Sequence, residues 1–194
     1  MLRAKNAFKR RNRYDRPKRE RPILIYHDEA VGTDLVAVAR SSIEKILQME
    51  ERARSVEIVY KGSPGIEDLL DRAHEKQDRN GQISIHAIIR QMGAGSFFEL
   101  GKQCAVLITN RDIYDTLYDS DFNIGAAVGG LVVIISTCRL KEFDSECFAS
   151  LVMHEVGHLF GMASREEKIQ HRLGIHCTNT CIMRPGSYDV VRHW

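Results

Sequence analysis

The segment His154-Glu155-Val156-Gly157-His158 carries the residue types of a metal-dependent hydrolase. On an α-helix, positions i and i+4 share a face, so His154 and His158 can present two imidazole nitrogens to one cation. Glu155 lies beside them and is suited to take a proton from metal-bound water rather than to bind the metal. Zn²⁺ fits this set, because it lowers the pKa of a bound water to about 7 and polarises a carbonyl group.

The neighbours of this segment predict a buried helix. Residues 151–153 and 159–160 are apolar, so the helix that carries the two histidines and the glutamate should pack inside the protein. Unpaired polar side chains in an apolar interior are costly, which favours a partner such as a metal ion. The alternative is a helix whose histidines only form hydrogen bonds within the core.

The residues after this helix resemble those of the metzincin peptidases. Gly161 stands where these enzymes have a glycine that ends the helix and turns the chain, ahead of a third histidine and a Met-turn. Ser164 occupies the position of that third histidine, and serine is a poor zinc ligand. The third ligand should therefore come from a later residue.

A later segment resembles the archaemetzincins. In their pattern the third histidine immediately precedes a cysteine, and a second cysteine, one further residue and the methionine of the Met-turn follow. His176, Cys177, Cys181 and Met183 match this spacing. The resemblance is specific over residues 151–183, and His176 lies twelve residues later than the third histidine of the shorter metzincin pattern.

The resemblance implies a zinc metallopeptidase that acts on a peptide or protein substrate. Its implied fold is α/β (α+β): a zincin or metzincin fold with a mixed twisted sheet, an active-site helix and a small C-terminal subdomain. His154, His158 and His176 would hold one catalytic Zn²⁺, Glu155 would be the general base, and Met183 would form a hydrophobic floor beneath the metal. The alternative is a non-catalytic zinc-binding or nucleic-acid-associated protein with a vestigial site, and an intact Glu155 argues against it.

The chain departs from the archaemetzincin pattern in two ways. Archaemetzincins hold a second, structural zinc on four cysteines, two of which match Cys177 and Cys181, and no cysteine follows Cys181 here. We therefore expect a single zinc ion, with the two cysteines as free thiols, a local disulfide or a partial metal site; a reducing compartment favours free thiols. The extra residues, 163–173, are charged and predict an exposed helical insertion.

Other side chains near the site leave alternatives open. Glu166, Glu167 and His171 follow His158 by 8 to 13 residues and could supply the third ligand. A carboxylate there would make the site gluzincin-like, but the gluzincin glutamate lies on a separate, later helix. Tyr188 follows the Met-turn segment at a spacing that favours a packing or surface role over stabilisation of an oxyanion.

Weaker resemblance to the family covers residues 104–150. Residues 106–114 look like a strand that leads to an aspartate and a tyrosine, and residues 123–127 look like the Gly-containing strand that follows. Residues 135–140 look like the strand before the active-site helix, which in metzincins runs antiparallel along the cleft and can bind substrate backbone.

Hydrophobic periodicity predicts the elements that must position these residues. Strands and helices should alternate along the chain, which indicates an α/β fold. The predicted strands are 23–26, 56–60, 104–109 and 131–136. The predicted helices are 33–52, 66–76, a short one through Met92 with Ser84 as its cap, and a long one that follows Asp144 and runs through Phe160, whereas residues 110–125 look irregular.

Charge divides the 194-residue chain into a tail and a body. Residues 1–21 hold ten basic and two acidic residues, a net charge of +8, whereas the other 173 residues hold 18 basic and 24 acidic residues, a net charge of −6. We predict a flexible basic tail over 1–21 and a catalytic domain over 22–194, with an upper part (22–161) and a C-terminal part (162–194).

No apolar run is long enough to span a bilayer, no secretory signal appears, and five cysteines is an odd number, so we expect a cytoplasmic protein.

Three roles compete for the basic tail. The first is a solvated tail, and the second is binding to nucleic acid or another anionic surface through release of counterions. Phe8 and Tyr14 are the only aromatic residues in it, so base stacking has little support. The third is inhibition of the zinc site, for example by Asp15; the tail has no cysteine, which excludes a cysteine switch. The oligomeric state is left open.

Overall fold

The computed structural model describes residues 21–49, 55–74, 81–99, 102–115, 123–140 and 145–162, and the backbone alone of residues 168–171 and 174–177. Strands and helices alternate along this part of the chain. They are β1 (Ile23–His27), α1 (Thr33–Met49), β2 (Ile58–Gly62), α2 (Ile66–His74), β3 (Ile83–Ser84), α3 (Ile85–Ala94), β4 (Cys104–Thr109), β5 (Ile113–Tyr114), β6 (Gly125–Val128), β7 (Val132–Ser136), α4 (Ser145–Phe160), β8 (Lys168–His171) and β9 (Gly174–Cys177).

A five-stranded sheet with the order β2-β1-β4-β7-β6 forms the centre of the molecule. The first four strands are parallel to one another, and β6 pairs antiparallel with β7 at the edge. Every residue of β4 and β7 is buried, as expected for parallel strands that are covered on both faces. The predicted α/β class with a mixed sheet is confirmed.

Helices cover both faces of this sheet. Because side chains alternate along a strand, one set of residues packs against α1 and α4, and the intervening set packs against α2 and α3. The first set contains Ile23, Ile25, Val106, Ile108, Val133 and Ile135. The second contains Leu24, Tyr26, Ala105, Leu107, Val132 and Ile134.

Helix α4 is held against the first face by an apolar stripe. Phe148, Val152, Val156 and Leu159 recur at helical spacing and are buried in that core. The helix ends in a Schellman motif at Gly161, whose φ of 65° is the left-handed conformation that favours glycine. The N–H of Gly161 donates to the carbonyl of His158, and the N–H of Met162 donates to the carbonyl of Gly157.

Strand β6 is the antiparallel strand of the sheet. The prediction that residues 135–140 form an antiparallel strand before the active-site helix was therefore wrong. Gly129 and Gly130 both have positive φ, at 61° and 58°, and form a tight turn that joins β6 to β7 as a hairpin. Residues 135 and 136 instead complete the central strand β7, which is parallel to β4.

Residues 110–125 are also not wholly irregular, because β5 pairs in parallel with β3 and Asn123 bridges to Ile113.

The predicted helical insertion over residues 163–173 was also wrong. Residues 168–171 form β8, which pairs antiparallel with β9. The backbone of a hairpin therefore occupies the region where charge content predicted a helix. The tail over 1–20 and most of the C-terminal part lie outside the described residues.

Within the described residues, no helix is long and apolar enough to cross a membrane.

Candidate active site

His154 and His158 project from the same side of α4 and meet at their tips. Their Nε2 atoms are 3.2 Å apart, and the two rings are nearly perpendicular, with an interplanar angle of 83° and centroids 4.8 Å apart. Both side chains are half-buried, beside the stripe that packs into the core. The helical i, i+4 spacing thus brings two imidazole nitrogens together at one point.

This geometry fits a zinc ion. Tetrahedral zinc binds histidine nitrogen at 2.0–2.1 Å, so two such ligands lie about 3.3 Å from each other. The 3.2 Å separation of the two Nε2 atoms agrees with that value. Within the described residues no third His, Cys, Asp or Glu joins the pair to form a group that could hold a metal.

Glu155 points away from solvent, toward the edge of the sheet. Only 7% of its surface is exposed, and burial raises the pKa of its carboxyl group to about 8, although a hydrogen bond from the backbone N–H of Ala127 opposes this shift. A cation close to a carboxyl group favours the ionised form and so lowers its pKa. Glu155 directly follows His154 in the chain, and a buried carboxyl group with a raised pKa is a candidate for a functional role.

Strand β6 supplies the surface on which Glu155 rests. The N–H of Ser136 donates to the carbonyl of Ile124, and antiparallel pairs alternate between bonded and non-bonded. The polar backbone groups of Gly125 and Ala127 therefore point outward, away from β7. The N–H of Gly125 donates to Asn123 Oδ1, 3.2 Å away, and the N–H of Ala127 donates to Glu155.

Two solved structures share this architecture. The first is archaemetzincin from Methanopyrus kandleri, with a TM-score of 0.63 and 20% sequence identity over 91% of this chain and 88% of that one. The chain has an archaemetzincin-like fold. The second structure is a zinc-dependent peptidase from Methanocorpusculum labreanum, with a TM-score of 0.56 and 20% identity over 88% of this chain and 92% of that one. No protein-family model and no curated protein sequence matches the chain.

The described residues contain only part of the predicted archaemetzincin-like site. The backbone of His176 lies in β9 opposite Ile169, while its side chain lies outside the description. The same holds for His171 in β8 and for Cys177 in β9. Glu166, Glu167, Cys181, Met183 and Tyr188 also lie outside the described residues. The third ligand stays a prediction.

The partners of Glu155 on β6 were missed at the level of sequence. Periodicity identifies helix α4 and the strand but does not report that Gly125 and Ala127 face the glutamate. The available signal was the run of small residues at 125–127, because small side chains mark places where another element approaches closely.

Proposed function

We propose that the protein is a zinc-dependent peptidase that hydrolyses peptide bonds. The observation that carries this proposal is the convergence of His154 and His158 at a separation that suits zinc, with the buried carboxyl group of Glu155 beside them. The names of the two similar structures, an archaemetzincin and a zinc-dependent peptidase, support it.

Each of these residues has a role in the proposed reaction. His154, His158 and His176 would hold one Zn²⁺, which when bound would supply Lewis-acid activation of a water molecule and of the substrate carbonyl group. Glu155 accepts the proton of the attacking water and then donates it to the nitrogen of the leaving amine. Burial among apolar residues strengthens the electrostatic interactions of this carboxyl group.

The substrate binds in an extended conformation along β6. The carbonyl groups of Gly125 and Ala127 point outward and can accept hydrogen bonds from a peptide backbone. Contacts of this kind recognise the peptide backbone. Selectivity for particular substrate side chains would come from other residues around the site. A peptide or protein is therefore the proposed substrate.

The proposed setting is a reducing one. Cys104, Cys138 and Cys147 form no disulfide bond within the described part of the chain. Cytosolic proteins usually keep their cysteines reduced, so we place the protein in the cytoplasm with Cys177 and Cys181 as thiols and with a single zinc ion.

Zinc analysis and peptide digestion test this function. The full-length chain should contain zinc and should cleave members of a peptide library, with the products identified by mass spectrometry. Glu155→Gln should keep its zinc and lose about 10²–10⁴-fold in rate, the usual contribution of a general base. Glu146→Gln is the matched control, because Glu146 lies exposed on the same helix and should have no effect.

Two outcomes would overturn the proposal. A wild-type chain without zinc and without hydrolysis has no peptidase site. Hydrolysis that survives in Glu155→Gln at the rate of Glu146→Gln does not depend on the proposed base.

A further inference from the structure

Gly125 makes the closest approach between strand β6 and the side chain of Glu155. A Cβ atom built on Gly125 would lie 2.9 Å from Cγ, 3.0 Å from Oε1 and 3.2 Å from Cδ of that side chain. The first distance is shorter than a carbon atom tolerates against another heavy atom, and the other two are tighter than ordinary van der Waals contact. The space that a side chain would fill at position 125 is therefore already occupied by Glu155.

The backbone conformation does not require glycine at this position. Six other described glycines have positive φ, where glycine is favoured, and Gly125 is not among them. It lies in a regular antiparallel pair with Ile135. Glycine inside a strand weakens the strand, so its presence here needs a different reason, and the glutamate supplies one.

Ala127 contacts the same side chain through its backbone. Its N–H points away from β7 and donates a hydrogen bond to Glu155. The stem of Glu155 thus packs against the bare Cα of Gly125, while its carboxyl group is bonded two residues further along the strand. These two contacts constrain both the position and the direction of the carboxyl group.

We propose that Gly125 and the Ala127 amide are positioning groups that hold Glu155 for proton transfer. The inference rests on the proposed function, in which Glu155 is the base. Adding one carbon at position 125 pushes the carboxyl group away from the edge strand, and a displacement near 1 Å can cost about 100-fold in rate. The three atoms nearest to the added carbon all belong to Glu155, so its side chain and not the imidazoles of His154 and His158 is the first group displaced.

The first test compares Gly125→Ala with Gly93→Ala. Gly93 has open space where a Cβ would stand, so its substitution controls for the loss of a glycine. Using a peptide that the wild-type chain cleaves, we expect Gly125→Ala to lower kcat by about 100-fold, with zinc content and KM close to those of Gly93→Ala. An unchanged kcat, or a loss of zinc equal to the loss of rate, overturns the positioning role.

A double-mutant cycle tests the contact without any activity measurement. Gly125→Ala should lower the Tm of the full chain by roughly 4–8 °C, because it overpacks a buried site. In a Glu155→Ala background the atoms that the new carbon meets are gone, so the same substitution should have little effect on Tm. Equal Tm shifts in both backgrounds show that Glu155 is not what fills this space.

Removal of the amide is the second variant. Ala127→Pro deletes the N–H that donates to Glu155, and proline is tolerated on an edge strand where the N–H faces outward. It should lower kcat while zinc is retained, and full activity would remove Ala127 from the positioning role. Failure of the wild-type chain to bind zinc or cleave any peptide instead rejects the proposed function, and the Tm cycle still reports the contact.

Discussion

Under the proposed function, His154 and His158 supply two of three zinc ligands, and the identity of the third decides what kind of site it is. The two imidazoles are fixed by one helix and need no other element to bring them together. We propose that the third ligand comes from the segment that follows Gly161, where the chain leaves α4. His176 is the residue that the archaemetzincin resemblance proposes.

We expect His176→Ala to weaken zinc binding by more than about 100-fold. Even partners that only orient a ligand typically contribute 10–100-fold to metal affinity, and loss of a ligand should cost more. Competition with a chromophoric chelator measures the change, and His171→Ala is the control because it removes a histidine from the paired strand. Undiminished affinity in His176→Ala, or a larger loss in His171→Ala, contradicts the assignment.

At the scale of elements, the end of α4 is set by Gly161. The Schellman motif satisfies the last carbonyl groups of the helix and turns the chain out of it immediately after His158. A residue with a Cβ atom can adopt this left-handed conformation only at a cost. The exit of the chain from the helix is therefore encoded at one position.

Gly161→Ala should destabilise the protein by about 1–2 kcal/mol. A Cβ at position 161 would meet no other atoms, so the cost comes from the φ of 65° and not from a clash. Urea unfolding measures the difference. Gly32→Ala is the control, because it has open space and no positive φ, and an equal effect in both variants would contradict the explanation.

The loops after β4 and β7 are joined by a pairing of charged groups. Arg139 donates from Nε to Oδ1 of Asp112 at 2.9 Å and from Nη2 to Oδ2 at 2.6 Å, and Gln82 also donates to Oδ2. These contacts, led by the hydrogen bonds from Arg139, lower the pKa of Asp112. The bond is bidentate, a geometry that makes such pairs stronger than single contacts.

Asp112→Asn should destabilise the folded state at pH 7 by about 1 kcal/mol or less. Because the folded pKa lies below the unfolded one, the stabilisation is present above the unfolded pKa, about 3.9, and is lost as the pH falls through the folded pKa. Unfolding free energies between pH 7 and pH 3 measure the trend. Glu44→Gln, which breaks an exposed pair on α1, should show almost no effect, and a constant difference for Asp112→Asn at all pH values would contradict the linkage.

The elements themselves were predictable wherever a local pattern determines them. Helix α4 begins at Ser145, directly after Asp144 as predicted, and ends at the predicted Phe160, because its apolar stripe is long and regular. Strand direction and contacts across the chain are not local properties, so the reversal of β6 and the packing of Glu155 on Gly125 escaped prediction. The Gly129-Gly130 pair between two β-prone runs was the signal for the hairpin.

The β8–β9 hairpin shows a second limit of sequence patterns. Charge content alone predicted an exposed helix there, yet the residues are strands. Ile169 and Ile175 each stand between polar or small residues, a period-two pattern that was too short to outweigh the charge. Each of these strands has only four residues, and each is formed by pairing with the other.

At the scale of the whole molecule, the chain is a body of net charge −6 that carries a basic tail of net charge +8. All the residues of the proposed site belong to the body. The folded core of the sheet begins at Ile23, directly after the tail. The part that the tail plays in the reaction can be tested by its removal.

We expect the full chain and a 22–194 truncation to have equal kcat/KM on a neutral peptide. A solvated tail contributes nothing to the chemistry, whereas an inhibitory tail would make the truncated chain faster. Initial rates at two ionic strengths measure this, because charge effects of the tail weaken as salt is raised. A truncated chain that is several-fold faster at low salt would support inhibition and contradict the solvated tail.

The contacts along β6 also bear on how the protein behaves in a crowded solution. An exposed strand edge attracts the edges of other molecules because it offers alternating donors and acceptors. At Gly125 and Ala127 both outward N–H groups are already bound, by Asn123 and Glu155, so this stretch presents oxygens alone. Two copies of this stretch cannot complete a ladder with each other, so it disfavours edge-to-edge self-association, while its carbonyl groups can still accept hydrogen bonds from the peptide substrate proposed above.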